Sequence, residues 1–158
     1  MIKLYRKTDD AIHYWETWDN NGVHTIHWGK LGERGQSNEL KDSLFRSASK
    51  AIKPQIEEKQ AEGYEEIPTE DHHVLLIEFA VEGMGSTKDL DKRHRLEERM
   101  DDTLGWTGLG NCDGGSIGSG TMEVCCLVVD YDTAAKAIEA DLKGTEFADY
   151  TRIYREDE

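Results

Sequence analysis

Proline, cysteine and long apolar runs are all scarce in this sequence. It holds two prolines and three cysteines in 158 residues. Because the cysteines are odd in number and Cys125 adjoins Cys126, no disulfide framework is indicated, and a reducing compartment is expected. No apolar stretch approaches the roughly 18 to 20 residues that cross a bilayer, and residues 1–5 lack the apolar stretch of a secretory signal. The sequence therefore predicts a cytoplasmic protein with no membrane partner.

The length suits one medium domain or two small ones, at about 100 to 150 residues for a typical domain. Hydrophobic residues make up 37% of the chain and charged residues 33%, with four Trp, six Tyr and three Phe. These large side chains suffice to close small cores, so wholesale disorder is not expected. A large multidomain enzyme does not fit in this length.

Negative charge is concentrated in the second half of the chain. Lys and Arg number 19 against 33 Asp and Glu, a net charge of −14. Up to Pro68 there are 10 basic and 12 acidic residues, net −2, and after it 9 basic and 21 acidic, net −12. Such a field repels polyphosphates, which disfavours nucleic-acid binding by the second half. The asymmetry indicates either two units with different surface roles or an acidic surface that serves solubility.

The segment 67–73 separates a helical pattern ending at Gly63 from an apolar strand beginning at Val74, and Pro68 disfavours a helix at Ile67. We therefore predict two domains, residues 1–68 and residues 69–158. In the first, alternating segments at 2–6, 12–18 and 23–28 predict an antiparallel meander with an Asn-Gly turn. A helical pattern follows over 47–61, with a kink or restart expected at Pro54.

The second domain begins with a buried strand over 74–81. Ser86 and Asp89 predict a capping box that starts a charged helix reaching about Leu104. A glycine-dense loop, a strand over 122–130, a helix capped by Asp132 and a closing strand over 151–154 complete the pattern. The predicted fold is α+β: an antiparallel meander with a packed helix, then a ferredoxin-like split βαβ unit.

Several short motifs in residues 1–67 occur in an order and spacing that resemble the WGR domain. They are Tyr14-Trp15-Glu16, the run from His27 to Gln36, Ala51-Ile52, Glu58-Lys59 and Gly63-Tyr64. Lys30 stands where the family has arginine, so a single ammonium replaces a planar guanidinium able to make a bidentate contact.

The resemblance implies a recognition role. In poly(ADP-ribose) polymerases the WGR module takes part in DNA-end recognition and passes that signal to neighbouring domains, which would give Trp28 a stacking role and Lys30 a polar contact. An ADP-ribosyltransferase domain does not fit in the remaining 91 residues (158 minus 67). That remainder is only loosely similar to small acidic α/β domains of bacterial proteins, and no residue roles transfer from them.

The aromatic residues of the first hairpin are the main binding candidates. Trp15, Trp18 and Trp28 either form the core or provide a stacking platform for a base or sugar. A positive strip near Trp28 is expected from Lys30, Arg34 and Lys41, although Glu33 and Glu39 intersperse with it. The predicted binding residues are Trp28, Gly29, Lys30, Arg34, Gln36 and Lys41.

Catalytic and metal-binding patterns are weak. The run 114–120 lacks Gly-Lys-Ser/Thr and leads into a strand, which favours a flexible loop or glycine-bearing edge strand over a phosphate loop. Consecutive Cys125 and Cys126 face opposite sides of a strand, and His72-His73 matches no zinc spacing. We predict no catalytic residue, metal or cofactor, and only Cys112 with Asp113 would be nominated for a small enzyme.

The charged helix has two possible interpretations, one structural and one functional. Glu97, Glu98, Asp101 and Asp102 lie among Arg93, Arg95 and Arg99, as in a salt-bridged face or a surface that docks a basic partner. We expect a non-enzymatic interaction protein that binds a macromolecule, foremost a protein, through the surface around Trp28, and another partner through the acidic unit. The alternative is recognition of DNA ends or single strands by residues 1–68, and the third possibility is a small enzyme.

Overall fold

A computed structural model describes residues 1–157. The chain divides into two compact units, Met1–Pro68 and a second that begins at Thr69. None of the helices among the described residues combines the length and the apolar character that crossing a membrane requires.

The first unit is a four-stranded antiparallel meander with one helix. Its elements are β1 Ile2–Lys7, β2 Ile12–Asn20, β3 Val23–Lys30, β4 Gln36–Lys41 and α1 Ala48–Ala61. The strands lie in the sheet in chain order, each antiparallel to the next. Asn21 and Gly22 both have positive φ, 52° and 81°, as the predicted Asn-Gly turn requires. Strand β4 was not predicted, because its residues are polar and mostly exposed and carry no hydrophobic alternation.

Helix α1 packs on one face of this sheet. The buried apolar cluster there consists of Leu4, Trp15, Ile26 and Ile52. The expected restart at Pro54 does not occur, because one helix runs from Ala48 to Ala61. Pro54 removes one backbone hydrogen bond, but Ile52 and Ile56 hold the helix against the sheet on either side of it.

The second unit has the order strand, helix, two strands, helix, strand. Its elements are a 3-10 turn Thr69–Asp71, then β5 His73–Ala80, α2 Thr87–Trp106, β6 Gly110–Gly118, β7 Thr121–Val128, α3 Tyr131–Leu142 and β8 Arg152–Arg155. The sheet order is β6-β7-β5-β8, with every pair antiparallel. This α+β arrangement has the split βαβ topology that the sequence predicted.

The predicted N-cap is correct for α2 and is two residues too late for α3. The capping box of Ser86 and Asp89 is present, with the Asp89 amide donating to Ser86 Oγ at 3.2 Å. For α3 the N-cap is Asp130, not the predicted Asp132, because Asp130 Oδ2 accepts from the Thr133 amide at 3.0 Å. The glycine-rich segment forms β6 at the edge of the sheet, the second of its two predicted states.

Candidate functional site

Trp28 lies in the middle of a row of side chains that crosses the first sheet. It is directly opposite Trp15 on β2 and Gln36 on β4. Because side chains directly opposite each other share one face, all three point toward the side that carries α1. Trp15 is buried at 3% exposure, whereas Trp28 is 36% exposed. The sheet therefore buries one indole of the pair and presents the other to solvent.

A cavity of about 250 Å³ opens beside this exposed indole. Its lining consists of Trp15, Ile26, Trp28, Asn38, Gln55, Lys59 and Tyr64. The aromatic rings and Ile26 give it an apolar floor and wall, and the two amides and the ammonium supply polar groups. This combination of apolar walls with a few polar groups is typical of a binding pocket.

The cation at this cavity is already engaged by neighbours in the first unit. Lys59 Nζ lies 2.9 Å from Glu62 Oε2 and 5.5 Å from the centre of the Tyr64 ring. The guanidinium of Arg6 lies 5.0 Å from the centre of the same ring. Positive charge is thus present near the cavity, but a carboxylate already offsets part of it.

A buried polar network lies on the opposite face of the same sheet. Tyr14, Glu16 and His27 are at most 2% exposed. His27 Nε2 is 2.5 Å from the Arg34 carbonyl oxygen, and its Nδ1 is 2.6 Å from Glu16 Oε1. Because a carbonyl oxygen only accepts, Nε2 carries a proton, and a second proton lies between Nδ1 and the carboxyl group. Histidine and glutamate are therefore paired rather than buried as isolated groups.

This network fixes the loop that follows β3. Tyr14 donates its hydroxyl proton to the Glu33 carbonyl oxygen at 2.8 Å, and burial, then the Glu16 and Glu33 charges, raises the pKa of Tyr14. Together, Tyr14 and His27 bind the carbonyl oxygens of two consecutive loop residues, Glu33 and Arg34. The backbone that carries Arg34 is therefore set by buried side chains.

Two glycines allow the loop to approach the strand. A Cβ on Gly29 would lie 2.8 Å from the Gly35 Cα and 2.9 Å from the Tyr14 hydroxyl oxygen. Gly35 has a φ of 66°, and a Cβ there would overlap the Trp28 carbonyl oxygen. Glycine is required at both places by close packing, and at Gly35 by its backbone conformation as well.

The structure separates the predicted binding residues into distinct places. Trp28, Lys30 and Gln36 lie on the face of α1, with Gln36 beside Trp28. Gly29 faces the Tyr14 network, and Arg34 lies exposed in the loop that this network holds.

Lys41 does not belong with Trp28. It pairs with Val23, which lies five positions from Trp28 on β3, or about 17 Å along the strand. Because five is an odd number, Val23 and Lys41 point to the opposite face of the sheet from Trp28. The expected positive strip of Lys30, Arg34 and Lys41 beside the indole is therefore wrong for Lys41. The position of Lys41 is set by its pairing in β4, a strand that was not predicted.

Four residues that line the cavity, from β4, from α1 and from the segment after α1, were not predicted from the sequence. Asn38, Gln55, Lys59 and Tyr64 were not among the predicted binding residues, yet all four line it. Lys59 and Tyr64 stood within the motifs that carry the family resemblance, which was the only available signal. Asn38 and Gln55 come from separate elements, and only the packing of α1 on the sheet brings them together.

The second unit holds the residues considered for metal binding and catalysis, His72, His73, Cys112 and Asp113. In residues 1–157 no three His, Cys, Asp or Glu side chains are arranged to hold a metal ion, and this includes His72 and His73. Cys112 donates its thiol proton to the Cys125 carbonyl oxygen at 3.4 Å, and its amide donates to Asp101 at 2.8 Å. Asp101 is a carboxylate, so this contact does not supply the cation that activates a catalytic thiol.

The charged helix α2 is occupied by ion pairs within its own unit. The pairs are Arg93 with Glu97 at 3.0 Å, Lys92 with Asp149 at 2.7 Å, Arg95 with Glu146 at 2.6 Å and Arg99 with Asp141 at 2.7 Å. Three of the four connect α2 to residues more than forty positions away. These contacts favour the interpretation of this surface as a salt-bridged face.

Comparison with known proteins identifies the first unit. Residues 8–71 match the family model of the WGR domain, so the chain contains a WGR domain. No curated protein and no solved structure shows significant similarity to the chain.

Proposed function

We propose that the protein is a non-enzymatic binding module whose WGR domain contacts a partner protein through the surface around Trp28. The observation that carries this proposal is the half-exposed indole of Trp28 on the rim of a cavity floored by Trp15. A rigid aromatic side chain beside a partly desolvated pocket is typical of the residues that dominate binding energy.

The charges around Trp28 favour a protein over a polyphosphate. Lys59 is paired with Glu62, and Lys41 lies on the opposite face of the sheet. Nucleic-acid affinity depends mainly on several cations that reach phosphates together. An apolar or aromatic side chain of a protein would instead use the cavity itself, with the Asn38 and Gln55 amides available for backbone contacts.

A photo-crosslinking experiment in cells tests this proposal. p-Benzoylphenylalanine replaces Gln36, directly beside Trp28, and in a control protein it replaces Lys41 on the opposite face. We expect one discrete crosslinked protein from position 36 and none of that mass from position 41. The same product from both positions would contradict a binding site at Trp28.

A matched pair of substitutions tests whether the crosslink requires Trp28 itself or is affected by the loss of any partly exposed tryptophan. Trp28 is 36% exposed and Trp106, in the second unit, is 37% exposed. Trp28→Ala should abolish the crosslink from position 36, whereas Trp106→Ala should leave it unchanged. If both variants or neither reduced the crosslink, the indole of Trp28 would not be the contact.

Nucleic acid is the second candidate partner. The aromatic floor of the cavity could stack on one base while its amides bond to the base edge, as in sequence-tolerant single-strand binders. Retention of labelled nicked or single-stranded DNA would then weaken with salt and be lost in Trp28→Ala. No retention at low salt, where phosphate attraction is strongest, would exclude this candidate.

A further inference from the structure

We propose that Cys112 and Cys126 form a thiol-oxidation site, at which a two-electron oxidant such as a peroxide produces an intramolecular disulfide within the second unit. All three cysteines of the chain are free thiols in the structure. Both cysteines belong to the second unit and Trp28 belongs to the first, so the test does not depend on the proposed function of the WGR domain.

The register of two neighbouring strands places the two cysteines directly opposite each other. Cys112 on β6 pairs with Cys126 on β7. The Cys112 amide donates to Asp101 Oδ1 at 2.8 Å and is therefore not bonded to Cys126. Opposed residues that do not exchange backbone hydrogen bonds are the closer kind in an antiparallel pair, with Cα atoms about 4.5 Å apart. Disulfides span Cα separations of about 4.4 to 6.8 Å, a range that includes the typical separation of such a pair.

The thiols differ in access to solvent. Cys126 is fully buried, whereas Cys112 is partly exposed at the edge of the sheet. The hydrogen bond with Cys112, and then burial, raises the pKa of the Cys126 thiol. An oxidant in solution therefore reaches the Cys112 sulfur first. Cys126 is the second thiol, which then reacts with the oxidised Cys112 sulfur.

Strand β6 can move by the small amount that bond formation needs. The pairing with β7 is irregular between Cys112 and Gly115. Within this irregular segment Gly114 has a φ of 91°, with no atom within 4 Å of where a Cβ would be. The bulge already bends the strand at this point, and on the side where a Gly114 Cβ would lie there is room for a small adjustment.

The reaction is balanced with the peroxide as the oxidant. The Cys112 sulfur attacks one peroxide oxygen, the O–O bond breaks, and hydroxide leaves with the thiol proton as water, giving a sulfenic acid. The Cys126 sulfur then attacks the Cys112 sulfur, the S–O bond breaks, and the hydroxyl leaves with the Cys126 proton as a second water. Two thiols and one hydrogen peroxide thus give one disulfide and two waters.

Cys125 is the internal control. It is adjacent to Cys126 on β7, so its side chain points to the opposite face of the sheet. Its sulfur therefore does not face Cys112, although its backbone carbonyl accepts from the Cys112 thiol. The geometry selects the pairing of Cys112 with Cys126 over either alternative.

The test is oxidation of the native protein with hydrogen peroxide, followed by alkylation and peptide mapping. We expect a monomer that has lost two hydrogens, with one link between the peptides that contain Cys112 and Cys126, reversed by dithiothreitol. Cys125→Ser should form the same link, and Cys112→Ser should abolish it. A link through Cys125, a disulfide between chains, or a link that forms only in urea would overturn the proposal.

Hydrogen exchange provides a readout that does not depend on these variants. The disulfide closes the hairpin of β6 and β7 and restrains opening of the edge strand. Exchange of the β6 amides in the oxidised wild type should slow about tenfold or more, and exchange in β1 should not change. Equal slowing in both units, or no slowing in β6, would contradict a local link.

Discussion

The WGR domain buries paired polar groups on one face of its sheet, whereas the second unit fills its interior almost entirely with apolar side chains. Glu16 and His27 are the buried side chains of charged type in residues 1–157, and both lie in the first unit. In the second unit Leu75, Ile77, Leu96, Met100 and Ile138 are fully buried, and the polar side chains buried with them are Thr103 and Thr107. Polar burial costs free energy unless every group is paired, so it is retained where it positions something.

What the polar network positions is the loop beside Trp28. The second unit instead keeps its charges outside, where they form ion pairs that contribute little free energy each. The first unit therefore buries polar groups that hold a surface in place, while the second unit gains its stability from an apolar core. Substitutions in the two units should therefore differ in size and in what they disturb.

The largest expected effect is the loss of the buried histidine. His27→Ala leaves Glu16 buried without its 2.6 Å partner, which should lower the free energy of unfolding by about 3 kcal/mol. The control is His24→Ala, because His24 is only partly buried and its partner Asp19, at 3.5 Å, is exposed, so its loss should cost about 1 kcal/mol or less. Urea unfolding of both variants measures the difference. Equal costs would mean that the network does not bear on stability.

A smaller effect is expected from the glycine that lets the loop approach β3. Gly35 and Gly144 have similar positive φ values, 66° and 74°, but only at Gly35 would a Cβ overlap other atoms. Alanine at either position introduces about 1 kcal/mol of backbone strain, and Gly35→Ala should cost about 1 kcal/mol more through overlap with the Trp28 carbonyl. Thermal unfolding measures both variants. A Gly144→Ala variant as unstable as Gly35→Ala would remove the distinction.

The smallest effect concerns a surface ion pair of the second unit. Hydrogen bonding by Arg152 lowers the pKa of Glu78, so this pair contributes stability above the unfolded pKa of glutamate, about 4.3, and loses it as the pH falls through the lower folded value. The difference in unfolding free energy between wild type and Glu78→Gln should be present at neutral pH and vanish in acid. Urea unfolding at several pH values checks this.

Salt is the control for that comparison. Arg152 is more than half exposed, so the difference between wild type and Glu78→Gln should shrink in high salt. The effect of His27→Ala should change far less, because both members of its ion pair are buried. A Glu78 contribution that grew in acid would contradict the direction of the pKa shift.

Much of the fold could be predicted because its signals are local. The Asn-Gly turn, the Ser86 capping box and the apolar strand of β5 each depend on residues close in sequence. Strand β4 and the edge strand β6 were harder to predict from the sequence, because polar and glycine-rich segments carry no hydrophobic period. Such segments form strands only when a neighbouring strand supplies hydrogen bonds. No restart occurs at Pro54, because tertiary packing outweighed a local propensity.

The site was predictable in part. Trp28 and Gln36 were expected to bind and do lie side by side, but the register of β4 removed Lys41 from their surroundings. The Tyr14, Glu16 and His27 network could not be anticipated, because alternation alone gives the same pattern for a buried polar face as for a solvated one.

The order of residues by itself determined the two units, the meander, the split βαβ order and the charge imbalance, since these depend on period, turn chemistry and composition. Only the tertiary structure decided which indole of the Trp15 and Trp28 pair is exposed, which side chains line the cavity and which thiols face each other. The physical reason is that exposure and contact depend on distant segments meeting in one register, and a shift of one residue would turn every side chain of a strand to the other face.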